Sequence, residues 1–156
     1  MKELIHRFEE QWRFARGLTR DLLLSMEGGD LSFSPGQGIG PLWKQFRHVG
    51  RVQENYQRAF ATGRIEFGFE GTSYGGDASR HELISYLDRL DAELNERLRT
   101  LGPVTRLIEW PGENVDWFEH LSRMVQHEIL HHGMFIYCAK LARRTMPKSW
   151  EAWGIE

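Results

Sequence analysis

The sequence predicts an all-α fold, a four-helix bundle with room for a crossover connection. Three observations carry this. Four segments repeat apolar residues at helical spacing, stop and start signals separate them, and no long stretch alternates polar and apolar residues as a strand would. Four amphipathic helices sharing one core pack naturally as a bundle, and a chain of 156 residues fits a single domain, 1–156.

The first helix is expected from about Glu3 to Met26, with Leu4, Phe8, Trp12, Ala15, Leu22 and Met26 near one face and Gly28-Gly29-Asp30 as its stop. The run Gly36-Gln37-Gly38-Ile39-Gly40 has no strand before it and no Gly-Lys-Ser/Thr ending. It is therefore taken as a flexible lead into the second helix rather than a phosphate loop. That helix opens near Pro41, a residue suited to a first turn. It carries Leu42, Phe46, Val49, Tyr56 and Phe60 and stops at Thr62-Gly63. The stretch from Arg64 to Asp77 is glycine-rich and is expected to be an irregular loop with a short extended piece around Ile65 to Phe69. Its length allows a crossover, so plain up-down connectivity is not required.

The third helix begins at Ser79-Arg80-His81-Glu82, a capping box in which Ser79 and Glu82 each accept from the other's backbone N–H. Leu83, Tyr86, Leu87, Leu90, Leu94 and Leu98 form its seam, and Gly102-Pro103 ends it. Thr105 to Trp110 has strand character but is too short for a sheet core. The fourth helix is expected from about Val115 to Thr145, closed by Pro147, and Trp150 and Trp153 in the tail are expected to fold back onto the bundle.

Composition narrows the function classes. Hydrophobic residues make up 40% and aromatic residues 12%, enough for a real core. The near-balanced net charge of −2 argues against a general polyanion binder, because neutralising a phosphate backbone takes clustered Lys and Arg. The single cysteine, Cys138, excludes an internal disulfide and is expected to be a core thiol. No run approaches the roughly 20 apolar residues of a membrane span, and the first residues lack a signal-peptide core. The expectation is a cytoplasmic protein without nucleic-acid or membrane partners.

The informative segment is His120 to Cys138. On a helical wheel Trp117, Leu121, Met124, Phe135, Ala139 and Ala142 mark the buried arc. His120, His127, His131 and Cys138 line one shoulder of it, and His132 falls away. His127 and His131, four apart, project from one face a turn apart, so both can reach one divalent ion. A third ligand must come from a facing helix. His48 is the best donor, although the pattern alone places it only on the flank of its stripe. His120 lies two turns from His127 and is expected to be a packed histidine. Glu128 falls inside the buried arc and needs a partner there. It either orients a ligand histidine, accepts a proton near a metal-bound water, or is simply paired with an arginine. Trp12, Trp43 and Trp117 either line a pocket near the metal or, more commonly at this spacing, belong to the core.

Two motif assignments compete. His127-Glu128-Ile129-Leu130-His131 matches the zincin pattern, with the glutamate as general base and Glu151 as a third ligand. Zincins pair that helix with a strand-rich half that this chain lacks, and Pro147 breaks the chain just before Glu151. The alternative is a resemblance. Trp43-Lys44-Gln45-Phe46-Arg47-His48-Val49-Gly50-Arg51, His127-Glu128-Ile129-Leu130-His131-His132-Gly133 and Pro147-Lys148-Ser149-Trp150-Glu151-Ala152-Trp153-Gly154 follow one another as in the DinB/YfiT-like superfamily of helical-bundle metalloproteins. The sequence resembles that superfamily over most of its length, and the resemblance is what selects His48. One departure is Met134, where the pattern often has glutamine after the glycine.

The resemblance implies a divalent ion, zinc or nickel, held by His48, His127 and His131 with positions open for water or substrate. It also implies a small-molecule substrate, in some relatives a low-molecular-weight thiol such as bacillithiol or mycothiol used for S-transfer or isomerisation. A homodimer is a further expectation of the same kind. On this basis the chain is expected to be a metal-dependent transferase or hydrolase with Glu128 as a catalytic proton carrier. A metal-braced, non-catalytic interaction protein is the alternative.

Overall fold

The computed structural model describes residues 2–36, 38–68, 70–100 and 107–155. Helix α1 spans Lys2–Ser25 and is followed by a single turn, α2 (Gly28–Leu31), where the sequence reads only a stop. Asp30 explains the extra turn: its carboxylate accepts from the backbone N–H of Glu27 at 2.7 Å. Helix α3 (Leu42–Thr62) starts after Pro41 and ends at Gly63, whose φ of 79° is a left-handed conformation that glycine adopts without strain. Helix α4 spans Arg80–Thr100. The Ser79 half of its expected capping box is present, with Oγ accepting from the Glu82 N–H at 3.3 Å. The expected stop at Gly102-Pro103 lies outside the described residues, as do Gln37, Phe69 and Thr105.

The last long helix, α5, is Trp117–Leu141 and so starts later and stops earlier than its apolar periodicity predicts. At its start, β1 (Ile108–Trp110) and β2 (Glu113–Val115) form a hairpin that claims Val115 as the partner of Ile108. Asp116 then caps the helix by accepting from the Glu119 N–H at 2.8 Å. At its end Arg143 takes a left-handed φ of 56°. A 3₁₀ turn, Lys148–Trp153, brings the tail back as expected. Trp150 is fully buried and donates to the Leu18 carbonyl at 3.1 Å, while Trp153 stays half-exposed against Phe14.

Contacts between side chains give the topology. Helix α4 runs antiparallel to α1, since Arg80 reaches the carbonyls of Leu24 and Met26 while Asp91 meets Trp12. Helix α5 runs parallel to α1, with Thr19 at Glu128 and, past the C-terminal end of each, Asp30 at Arg144. Helix α3 runs antiparallel to α5, with Phe46 on Phe135 and Tyr56 on His120. It runs parallel to α4, with Glu54 at Tyr86 and Gln57 at the Leu90 carbonyl. Parallel neighbours α3 and α4 need a connection that returns along the bundle, so the glycine-rich stretch 63–79 is the crossover. It is held down by Ser73 on Glu54, by Thr72 on Tyr86 and by the Ile65 N–H on the Glu109 carbonyl at 3.0 Å.

The core divides into two apolar clusters. One holds Leu22, Phe46, Leu87, Phe135 and Trp150, the other Phe8, Tyr56, Leu94, Trp117 and Leu121. Along every long helix a buried or half-buried polar residue marks the border: buried Arg16 and Thr19 on α1, buried Gln53 on α3, half-buried Asp91 on α4, buried Glu128 and His132 on α5. No described helix is long and apolar enough to cross a membrane.

At Gly50 helix α3 packs directly against the Tyr86 ring of α4. A Cβ there would lie 2.2 Å from Cε1 of Tyr86. That ring is held by hydrogen bonds from its hydroxyl region to Thr72 and Glu54, both at 2.9 Å. Gly50→Ala should therefore lower stability by about 1–3 kcal/mol through overpacking, despite up to roughly 1 kcal/mol of better helix propensity. Urea unfolding should show a lower midpoint; an unchanged midpoint would mean the two helices can part at no cost.

Candidate metal centre

His48 is carried by α3 and His127 and His131 by α5, and the antiparallel pairing of these helices brings the three rings together. Ring centroids are 5.4 Å apart for His48–His127, 4.7 Å for His48–His131 and 4.6 Å for His127–His131. One nitrogen from each lies within 4.8 Å of the other two. All three side chains are partly buried. Burial, followed by the neighbouring imidazoles, lowers His127 to about 3 and His131 to about 4. Burial, then Arg51 and Arg47, lowers His48 as well. The three are thus neutral donors at neutral pH.

These residues fit a divalent ion. Nitrogens about 2.0–2.1 Å from one cation sit closer together than this upper bound, so a small closing movement suffices. His131 also supplies an orphan: its Nδ1 is buried with no hydrogen-bond partner among the described residues. The cluster opens on one side into a cleft of about 460 Å³ lined by His48, His131, Lys44, Arg47, Arg51 and residues of the crossover.

The other histidines do different work. His120 is fully buried: Trp110 Nε1 donates to its Nδ1 at 3.1 Å, and its Nε2 donates to the Tyr56 carbonyl at 2.9 Å. Those bonds tie the hairpin and α3 to α5, which makes it the packed residue expected. His132 lies off the line of ligand histidines, as the wheel places it, and is buried on another side of α5, with Nε2 3.0 Å from Thr19 Oγ1. Cys138 is a fully buried core thiol. Trp12 and Trp117 are core residues, whereas Trp43 stands near the cleft with the Arg47 guanidinium 5.2 Å over its ring.

Glu128 is 1% exposed, and both its oxygens are engaged. Oε1 accepts from Thr19 Oγ1 at 2.6 Å, and Oε2 lies 3.4 Å from Nη2 of Arg16. Arg16 is the residue that sequence reasoning missed. Its signal was present: it stands four residues after Trp12 and three before Thr19, on the face that α1 buries. It also donates to Gln53 at 2.8 Å and lies over the Trp12 ring. Gln53 and Trp12 each donate to Asp91, both at 3.0 Å.

An all-helical bundle whose facing helices converge three histidines beside an open cleft defines a class of candidate metalloprotein. Residues 11–135 match the model of the DinB superfamily, and the chain belongs to that superfamily. A crystal structure of a DinB-like protein, YjoA from Bacillus subtilis, has the same fold. The two share 16% sequence identity at a TM-score of 0.69, over 92% of this chain and 96% of that one. A search of curated proteins finds no match.

One hydrogen bond sets a condition on metal loading. Arg51 Nη2 lies 3.1 Å from Nδ1 of His48. Arginine only donates, so Nδ1 is the acceptor and the neutral ring carries its proton on Nε2. A metal on Nδ1 takes that lone pair. A metal on Nε2 moves the proton to Nδ1, which then cannot accept. Either way Arg51 must let go. Arg51→Met should therefore raise zinc affinity about tenfold, the equivalent of one net hydrogen bond, in competition with a chromophoric chelator. His131→Ala should bind no zinc at the same concentration; equal affinities for all three proteins would remove the site.

Proposed function

We propose that the protein is a divalent-metal-dependent enzyme that takes a low-molecular-weight thiol, or water, at the open side of His48, His127 and His131 for S-transfer or a related reaction. The observation that carries this is the openness of the cluster: two of its three ligands, His48 and His131, line a cleft of about 460 Å³ that leaves room for an exogenous group. Structural sites are closed, whereas catalytic ones keep a free position. A bound zinc or nickel ion would supply the positive charge that favours thiolate or hydroxide at neutral pH. The thiol itself comes from the superfamily resemblance.

The protein's own residues have separate parts in this reading. The three imidazoles hold the ion and are already neutral. Glu128 is the carboxylate proposed to carry the proton, and for that one of its contacts, to Thr19 or to Arg16, must open. A metal that only braced α3 against α5 would need no cleft. A peptidase would need a sheet edge beside His127. The strands among the described residues pair with each other and, through Glu109, with Arg64 and Ile65 beyond the C-terminal end of α3.

The test uses cobalt as a visible substitute for zinc. The wild type should bind one cobalt per chain, and both His48→Ala and His131→Ala should lose it. Adding 2-mercaptoethanol to the cobalt protein should produce a thiolate-to-cobalt charge-transfer band. A cobalt spectrum indifferent to thiol would favour the brace, and hydrolysis of denatured casein abolished by Glu128→Gln would favour the peptidase.

A further inference from the structure

The cleft carries a second feature that metal binding does not explain. Lys44, Arg47, His48 and Arg51 follow one another at i, i+3, i+4 and i+7 of α3, so three cations share one stripe with the histidine. All four line the cleft, where Glu70 is the acidic residue among the described residues of its wall. Among the described residues, none of the three cations has a carboxylate within 4.0 Å. Eight other arginines are ion-paired: Arg16, Arg20, Arg58, Arg64, Arg89, Arg99, Arg123 and Arg144.

What holds these three is uncharged. Lys44 and Arg47 lie 5.7 and 5.2 Å over the Trp43 ring, and Arg51 donates to neutral His48. Like charges at i and i+3 or i+4 destabilise a helix unless something neutralises them. Here the fold supplies the cations and leaves the counter-charge to come from outside.

We propose that Lys44, Arg47 and Arg51 form an anion subsite adjoining the three-histidine cluster, which takes the carboxylate or phosphate groups of a small polyanionic ligand. The subsite stands on its own residues. Only its coupling to the metal rests on the function proposed above. Because loading His48 releases Arg51, the guanidinium becomes free to offer its paired N–H donors to the anion. The dication adds its own attraction, so metal and anion each strengthen the other's binding by the same factor.

The experiment is calorimetric titration of succinate and of inorganic phosphate into the metal-free and the zinc-loaded protein, with uncharged succinamide as control. One or both anions should bind the metal-free protein while succinamide does not, and zinc should tighten binding about tenfold. The preferred anion decides between carboxylate and phosphate ligands. In Lys44→Ala/Arg47→Ala, anion affinity should fall at least about tenfold while zinc stoichiometry stays unchanged. Equal binding of succinate and succinamide, or no binding of either anion to the metal-free protein, would overturn the subsite. So would full anion affinity in the double variant, which would place the anion on the zinc if seen only in the loaded protein and on other residues if seen without metal. Failure of zinc to bind would remove the metal centre and the coupling, yet the metal-free titration would still decide the subsite.

Discussion

A guanidinium buried at mid-bundle is the constraint around which the rest is arranged. Arg16 is 3% exposed, and a charge so placed is costly unless it is paired. Its partners come from each of the other long helices: Gln53 on α3, Asp91 on α4 and Glu128 on α5. Sliding any of these helices by one turn, about 5.4 Å, would strand either the arginine or its acid. An apolar core tolerates small slips by repacking, but this layer does not. The net stability such buried ion pairs add is small; what they do here is fix the height of each helix.

That registration matters because the metal-binding candidates occupy the same level. Glu128 and His132 belong to the polar layer while His127 and His131 are their immediate neighbours on α5, so the same turns of helix serve both. Gln53 sits little more than one turn beyond His48 on α3. Three imidazoles from two helices meet only if α3 and α5 stand at one relative height, and Arg16 touches both helices. Apolar clusters lie on either side of the layer, and at Asp91 the layer reaches a second cleft, of about 410 Å³, that Arg16 also lines. His48 and His131 reach solvent through the cleft beside α3.

How much of this was legible in the chain follows from the range of each interaction. Helical spacing and caps are local, so the four long helices and the tail turn could be read with small errors at their ends. The error at α5 arose because hairpin pairing of Val115 with Ile108 is decided by contacts that periodicity does not see. His127 and His131 announce themselves by spacing within one helix. His48 does not, and only family resemblance pointed to it. Glu128 was legible as a buried carboxylate in need of a partner, but Thr19 lies 109 residues away in the chain, beyond any local pattern. The burial of His132, off the line of ligand histidines, went unread for a related reason. A wheel assumes one buried face, whereas α5 meets both α1 and α3, and a helix with two neighbours buries residues on two sides. The stripe of Lys44, Arg47 and Arg51 was hidden by the overall balance of charge, and only the fold shows that it lines a cleft without carboxylate partners among the described residues.

The crossover between α3 and α4 separates two kinds of change open to this architecture. Glu70 and Thr72, on that connection, contribute to the wall of the cleft, while the histidines and the Arg16 layer belong entirely to long helices. Surface connections accept substitution and altered length more readily than packed helices do. Redrawing this one strap would therefore change the wall of the cleft and leave the histidine-bearing helices intact. A designer seeking altered selectivity would begin with the strap.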